Sequence, residues 1–290
     1  MLNDQAYQLR QLSESLAGRG RPFTRVVTVA SGKGGVGKSN FTLNFALSLM
    51  ELGQKVVVID LDIGMANLDI LMGTAPRHHL FDMVRLRKNI WEVLEKGPRG
   101  LEYLAGGSGF QQLCKLEEEE RDYFFRELEK LQGYADIVLI DTGAGMTLES
   151  QRCHLSADDI ILLTTPEPTS MADAYSVVKI LHNQKETISF HLLINRVGHY
   201  REGMEAAGKF KMAVQSFLNR DIKIFGAIPD DSAVTRSVLK QVPFYTANPR
   251  SPASLMMKKL AVRFSDGTAV NHEKGGMKGF ISSLTKMLRS

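Results

Sequence analysis

A chain of 290 residues with 43% hydrophobic content has enough apolar material for a large core, and its length is ordinary for one α/β domain with appendages. Its formal charge of +4 is too small to argue for nucleic acid, and its two cysteines, Cys114 and Cys153, form no metal or disulfide pattern, so they read as buried or idle thiols in a reducing cytosol. The N-terminus lacks the basic and apolar regions of a signal peptide, and no run approaches the roughly 18 apolar residues of a membrane span, so any membrane contact is expected to be peripheral.

Residues 1–24 read as an N-terminal arm. Leu2, Ala6, Leu9, Leu12 and Leu16 recur at helical spacing, and Gly18-Arg19-Gly20-Arg21-Pro22 ends the helix. Residues 25–264 form the body. Apolar, β-branched runs at 26–31, 55–60, 136–141, 159–164, 190–195 and 224–228, with a short one at 102–104, alternate with helical stretches. The runs are nearly continuous in Val, Ile and Leu, which suits parallel strands covered on both faces. The expected fold is therefore α/β, a doubly wound and mostly parallel sheet with helices on both faces. Residues 265–276 read as a polar linker, and 277–290 as a last helix.

The chemistry concentrates at the ends of three strands. Gly32-Lys33-Gly34-Gly35-Val36-Gly37-Lys38-Ser39 has the form G-x-x-x-x-G-K-S, between the run Val26–Ala30 and a helical pattern that opens with Asn40 and Phe41. Its glycines let backbone N–H groups turn toward one anion, and the following helix adds its positive end. Lys38 is expected to reach the β- and γ-phosphates of a nucleotide, and the Ser39 hydroxyl to bind Mg²⁺. A second run ends in Asp60-Leu61-Asp62 and a third in Asp141-Thr142-Gly143-Ala144-Gly145. Apolar runs that end in carboxylates suit a Mg²⁺–nucleotide site, because ligands sit at the carboxyl ends of such strands and Mg²⁺ takes oxygen donors.

With the loop, the two strand-end aspartate motifs and an Asn-Arg strand end in this order, residues 25–264 resemble the MinD/ParA subfamily of P-loop ATPases, the deviant Walker A proteins. Lys33 matches their signature lysine. The resemblance implies that it reaches across an ATP-held homodimer to the partner's phosphates. It also implies that Asp62 positions the hydrolytic water, that Asp60 supports the metal shell and that Asp141 lies near Mg²⁺. Asn195 and Arg196, with Pro229 and Asp230, would flank the adenine, while Glu167 and Asp173 would lie at the dimer face. ATP, ADP and Mg²⁺ are the implied ligands, with a dimer in ATP and a monomer in ADP or without nucleotide.

Each end of the chain adds a partner. Met277, Phe280, Ile281, Leu284, Met287 and Leu288 fall within an arc of roughly 120° on a helix. Lys278, Lys286 and Arg289 lie elsewhere on it, with no acidic residue. This pattern reads as an interfacial helix on anionic lipid, against the alternative of a terminal helix docked on the body. The MinD-type proteins carry such a C-terminal targeting helix, which favours the membrane reading. At the other end, Asp4-Gln5-Ala6-Tyr7-Gln8-Leu9-Arg10 matches the DQAxxLR motif of the FlhG (YlxH/FleN) branch, whose members regulate flagellar number and placement. The resemblance implies that Asp4, Gln5, Ala6, Leu9 and Arg10 belong to an activator helix for the signal-recognition-particle-type GTPase FlhF. Gln5 would be directed at the GTPase active site. It also implies contact with flagellar C-ring proteins such as FliM and FliY.

Three other readings compete. A ParA-like partition ATPase would need a basic DNA-binding surface, and Lys209, Lys211, Arg220, Arg236, Lys240 and Arg250 are scattered. A nitrogenase iron-protein-type carrier needs a cysteine soon after Asp141, whereas the next one is Cys153. A scaffold that binds nucleotide without hydrolysis is opposed by the presence of Asp60, Asp62 and Asp141 together.

Overall fold

The structure, a computed structural model, describes residues 23–62, 68–106, 116–185, 188–266 and 275–289. The activator positions Asp4, Gln5, Ala6, Leu9 and Arg10 lie outside the described residues, as does most of the linker. In chain order the elements are β1 Arg25–Ala30, α1 Lys38–Glu51, β2 Val56–Leu61, α2 Leu68–Met72, α3 Asp82–Arg85, α4 Ile90–Val93, β3 Glu95–Lys96 and β4 Glu102–Leu104. They continue with α5 Glu118–Glu129, β5 Ile137–Thr142, α6 Leu148–Ser156, β6 Asp159–Thr164, α7 Pro168–His182, β7 Ser189–Val197, α8 Tyr200–Leu218 and β8 Lys223–Pro229. The last are α9 Ser232–Leu239, α10 Phe244–Ala247, α11 Pro252–Asp266 and α12 Gly276–Arg289.

Eight strands form one sheet in the order β3-β4-β2-β5-β1-β6-β7-β8. Every pairing is parallel except that of the two-residue β3 with β4. The doubly wound sheet expected from the sequence is therefore present, and each predicted strand lies within one or two residues of its observed bounds. Alternate residues of one strand enter different cores: Val27 and Val29 join a cluster with α1 and α11, whereas Val26 packs with α5, α6 and α12. Nearly continuous Val/Ile/Leu runs suit this two-sided burial, and a polar side chain within one, such as Thr28 in β1, needs a buried partner.

At its lower end β1 is held by charge. Arg25 Nε donates to Asp159 Oδ2 at 2.7 Å, its guanidinium lies over the Phe264 ring at 4.1 Å, and His191 Nε2 is 3.0 Å from Asp159 Oδ1. Burial alone would raise the Asp159 carboxyl, but the hydrogen bond with His191 and the charge of Arg25 outweigh it and hold the group well below the usual carboxylate range.

In this structure the C-terminal helix takes the alternative that its amphipathic pattern left open, a seat on the body. Residues 277–289 are helical as expected, but the apolar stripe is not open to lipid in this structure. Met277, Phe280, Ile281 and Leu284 are buried in one cluster with Phe124, Leu128 and Cys153, so α12 is seated on α5, α6 and β1. Met287 and Leu288, nearer the end, are half-buried against the body. Amphipathic spacing leaves both readings open, because it reports only that one face avoids water. Bilayer and protein core satisfy it equally.

Candidate nucleotide site

The loop after β1 turns on two glycines. Gly35 and Gly37 take φ of 77° and 96°, in the left-handed region that glycine enters without strain. Gly37 is also the N-cap of α1, makes no side-chain capping bond, and is followed by a first turn without acidic residues. The first N–H groups of α1 are thus left for an external acceptor, and the helix dipole favours an anion there. Two neighbours fix the loop from outside. Asn195, at the end of β7, donates from Nδ2 to Val36 O at 2.7 Å. Gly32 packs so closely on α7 that a Cβ there would lie 2.3 Å from the Asp173 carbonyl carbon.

Beneath the loop, Lys38 Nζ donates to Asp141 Oδ1 at 2.9 Å, with both side chains buried. The Thr42 hydroxyl, one helical turn after Lys38, lies 3.2 Å from the same oxygen. The other carboxylate oxygen, Asp141 Oδ2, is buried with no hydrogen-bond partner among the described residues. Sheet register places Asp60 directly opposite Asp141 on adjacent strands. Burial, and then the charge of Asp141, push the Asp60 carboxyl up to about 7. Asp60 Oδ1 accepts from the Asp62 backbone N–H at 3.0 Å, which leaves the half-buried Asp62 at the mouth of the site. Ser39 is half-buried beside them on the first turn of α1.

Two neighbouring carboxylates, one with an unpaired buried oxygen, with a hydroxyl on the adjoining helix, make an all-oxygen donor set under a phosphate-binding loop. That chemistry fits Mg²⁺. Behind the loop, His154 is fully buried with Nδ1 3.0 Å from Thr28 Oγ1, and burial followed by the charge of Lys38 pushes it down to about 3. It is therefore neutral near pH 7 and adds no charge to the site.

Beside the loop lies a cavity of about 390 Å³, of ordinary size for a small-molecule site. Gly37, Asn40, Asn195, Arg196, Pro229 and Asp230 line its polar side; Phe41, Ile228, Val234, Phe244 and Met257 line its apolar side. The base-flanking residues expected from the sequence are thus brought together. Arg196 takes a φ of 56°, an unusual value for a non-glycine residue and one that clusters at functional sites. The apolar wall and Thr42 escaped sequence reading. Thr42 follows Lys38 by four residues, a one-turn spacing that was available as a signal, whereas the wall is assembled from α1, β8, α9, α10 and α11 and carries no local pattern.

Lys33 is exposed, and its Nζ lies 3.2 Å from Glu167 Oε2 at the N-cap of α7. Two residues expected at the dimer face therefore pair within one subunit, while Asp173 meets Gly32 through its backbone.

Comparison with known proteins agrees with this geometry. The family model of the CobQ/CobB/MinD/ParA nucleotide binding domain matches residues 27–244. The antiactivator FleN of Pseudomonas aeruginosa is 32% identical over 262 residues, covering 90% of this chain and 94% of that protein. The flagellum site-determining protein YlxH of Helicobacter pylori is 31% identical over 269 residues, covering 91% of each. Among solved structures, Pyrococcus horikoshii MinD complexed with Mg-ADP aligns with a TM-score of 0.68 at 25% identity, over 86% of this chain and 99% of that one. The chain in the Aquifex aeolicus MinC:MinD complex aligns with a TM-score of 0.68 at 26% identity, over 87% and 100%. The chain belongs to the CobQ/CobB/MinD/ParA family and, within it, to the FlhG-type (FleN/YlxH) ATPases.

Proposed function

We propose that this ATPase is a nucleotide-gated switch that controls the number and placement of flagella; of the two relatives, YlxH is named as a flagellum site-determining protein and FleN as an antiactivator. ATP in the loop Gly32–Ser39 draws two subunits together. Lys33 of each leaves Glu167 for the partner's phosphates, where a cation offsets the repulsion of two triphosphates. Asn195, Arg196, Pro229 and Asp230 hold the base in the cavity. Lys38 turns from Asp141 to the β- and γ-phosphates, and Asp62 orients the water that attacks the γ-phosphorus as its bond to the ADP oxygen breaks. Ser39 and Asp141, with Asp60 acting through water, would hold Mg²⁺, which supplies charge neutralisation on the phosphates when bound. Hydrolysis to ADP returns the monomer.

The output is location. In the resting state α12 stays seated on the body. In the ATP dimer its face of Met277, Phe280, Ile281, Leu284, Met287 and Leu288 leaves for the anionic inner surface of the cell membrane. Two tails bind there at high effective concentration, so weak single anchors become sufficient. The observation that carries this reading is that the seat of α12 is α6, which continues directly from the Asp141 loop. Gly145 in that loop donates from N to Ser31 O at 3.0 Å, next to the phosphate loop. The N-terminal arm, through Gln5, stimulates the GTPase FlhF, and the body contacts C-ring proteins of the FliM/FliY kind.

Co-sedimentation with anionic vesicles tests the switch. Binding should rise severalfold with ATP over ADP, and Lys33→Ala should remove the difference. Equal binding in both nucleotides would rule the switch out.

A further inference from the structure

The first and last described segments of the chain meet at one loop. Thr24 is fully buried, and its hydroxyl lies 2.7 Å from Ala135 O and 3.0 Å from Leu131 O while accepting from Gly133 N at 2.7 Å. The loop 131–135 is thus tied to the strand-side root of the N-terminal arm. In the middle of that loop, Gln132 Oε1 accepts from Met277 N at 2.8 Å and lies 3.4 Å from Lys278 N. These are N–H groups of the first turn of α12, which have no partner inside the helix. The first turn carries no acidic residue of its own, so Gln132 reaches in from another element to do what a capping residue does. Gly276 completes the joint. Its φ is 55°, and a Cβ there would lie 2.9 Å from Thr24 O and 3.0 Å from both Gln132 Oε1 and Phe23 Cε2.

Apolar burial holds α12 on the body but has no direction, so by itself it sets neither the register of the helix nor a sharp threshold for release. The polar joint supplies both. We propose that Gln132, held in place by Thr24, is the latch that keeps α12 seated, and that this junction of the first and last described segments sets how readily the tail leaves the body. The proposal rests on the reading that α12 works by leaving.

The buried thiol offers a direct readout. Cys153 is 1% exposed, in the same cluster as Met277, Phe280, Ile281 and Leu284, so opening of α12 uncovers it. In the full chain carrying Cys114→Ser, Cys153 is the only thiol left of two. Labelling by a thiol reagent with Mg-ADP present then measures the open fraction, and a rate insensitive to low denaturant marks local opening as distinct from global unfolding. Gln132→Ala should label about five-fold faster, the change that loss of a typical cap produces. Gln132→Glu keeps the acceptor and adds negative charge at the positive end of the helix, so it should label no faster than the parent. Gly276→Ala attacks the joint from the helix side and should behave like Gln132→Ala. Should Gln132→Ala not fold, Gly276→Ala against Gln132→Glu decides the same question. Parent-like labelling in both disruptive variants, or Gln132→Glu as fast as Gln132→Ala, overturns the latch. Phosphatidylglycerol vesicles separate the two readings: faster labelling without a gain in vesicle binding upholds the latch and removes the lipid as the destination of α12.

Discussion

Lys38 and Asp141 close a buried ion pair at the centre of the nucleotide site, Nζ to Oδ1 at 2.9 Å, on elements joined only by the fold. In the proposed mechanism Asp141 is the resting partner of Lys38, which turns to a phosphate when nucleotide binds. Lys38→Met keeps most of the side chain and removes the charge, which leaves Asp141 buried and without its cation. Breaking a buried pair from one side typically costs about 3 kcal/mol or more. Urea unfolding without nucleotide should show a loss of that order, and ATP binding should fall below detection. A loss under about 1 kcal/mol would mean that the pair does not hold the resting site together.

Asp60 supplies a pH signature. Its carboxyl is raised to about 7 by burial and by Asp141, so the folded state binds its proton more tightly than the unfolded chain does. The resulting stabilisation is fully present below the unfolded value near 4 and is lost as pH rises through about 7. The protein without nucleotide or Mg²⁺ should therefore lose stability across that window. Asp60→Asn, neutral throughout, should show a flatter profile, and Mg-ATP should flatten that of the parent. Denaturant midpoints at several pH values measure it; parallel profiles for parent and variant would refute the assignment.

Two glycines of the loop should answer differently to the same substitution. A Cβ on Gly32 meets the Asp173 backbone at 2.3 and 2.4 Å, and backbone cannot rotate away. A Cβ on Gly34 meets nothing closer than the Ala144 Cβ at 3.9 Å. Gly32→Ala should cost about 2 kcal/mol by overpacking, whereas Gly34→Ala should stay within about 0.5 kcal/mol of the parent without nucleotide. Thermal denaturation of the two variants side by side is the measurement. Equal stability would show that α7 is not held against the loop as the structure has it.

The contrast between these residues explains what the sequence could reveal. The sheet was legible because two-sided burial forces long runs within the strands, such as Val56–Ile59, to be apolar, and a local run records that demand. The phosphate loop was legible because close approach to an anion needs glycine at fixed spacing. Register then follows from neither, so the apposition of Asp60 and Asp141 became visible only when their strands were paired. The short elements α2 to α4 and β3 had no period long enough to read; α4 rests on a local capping box of Asn89 and Glu92 together with a tertiary contact, Ile90 N to the buried Glu127 carboxylate at 2.9 Å. For α12 the period was plain, yet it could not name the surface opposite.

The polar face of α12 offers a way to separate that surface from the lipid. Lys278 and Lys286 are exposed while the stripe behind them is buried, so their side chains stay outside the contacts that seat the helix. An anionic bilayer does, at about 1 kcal/mol for each basic residue near its surface. Lys278→Glu with Lys286→Glu removes two attractions and adds two repulsions. Stability in solution should change by no more than about 0.5 kcal/mol, while ATP-dependent binding to vesicles rich in phosphatidylglycerol should fall at least tenfold, and binding to neutral vesicles should not. Deleting 277–290 cannot make this distinction, because it also strips Met277, Phe280, Ile281 and Leu284 from the core. Undiminished binding of the double variant would place the basic face away from lipid and leave α12 as a structural helix of the body.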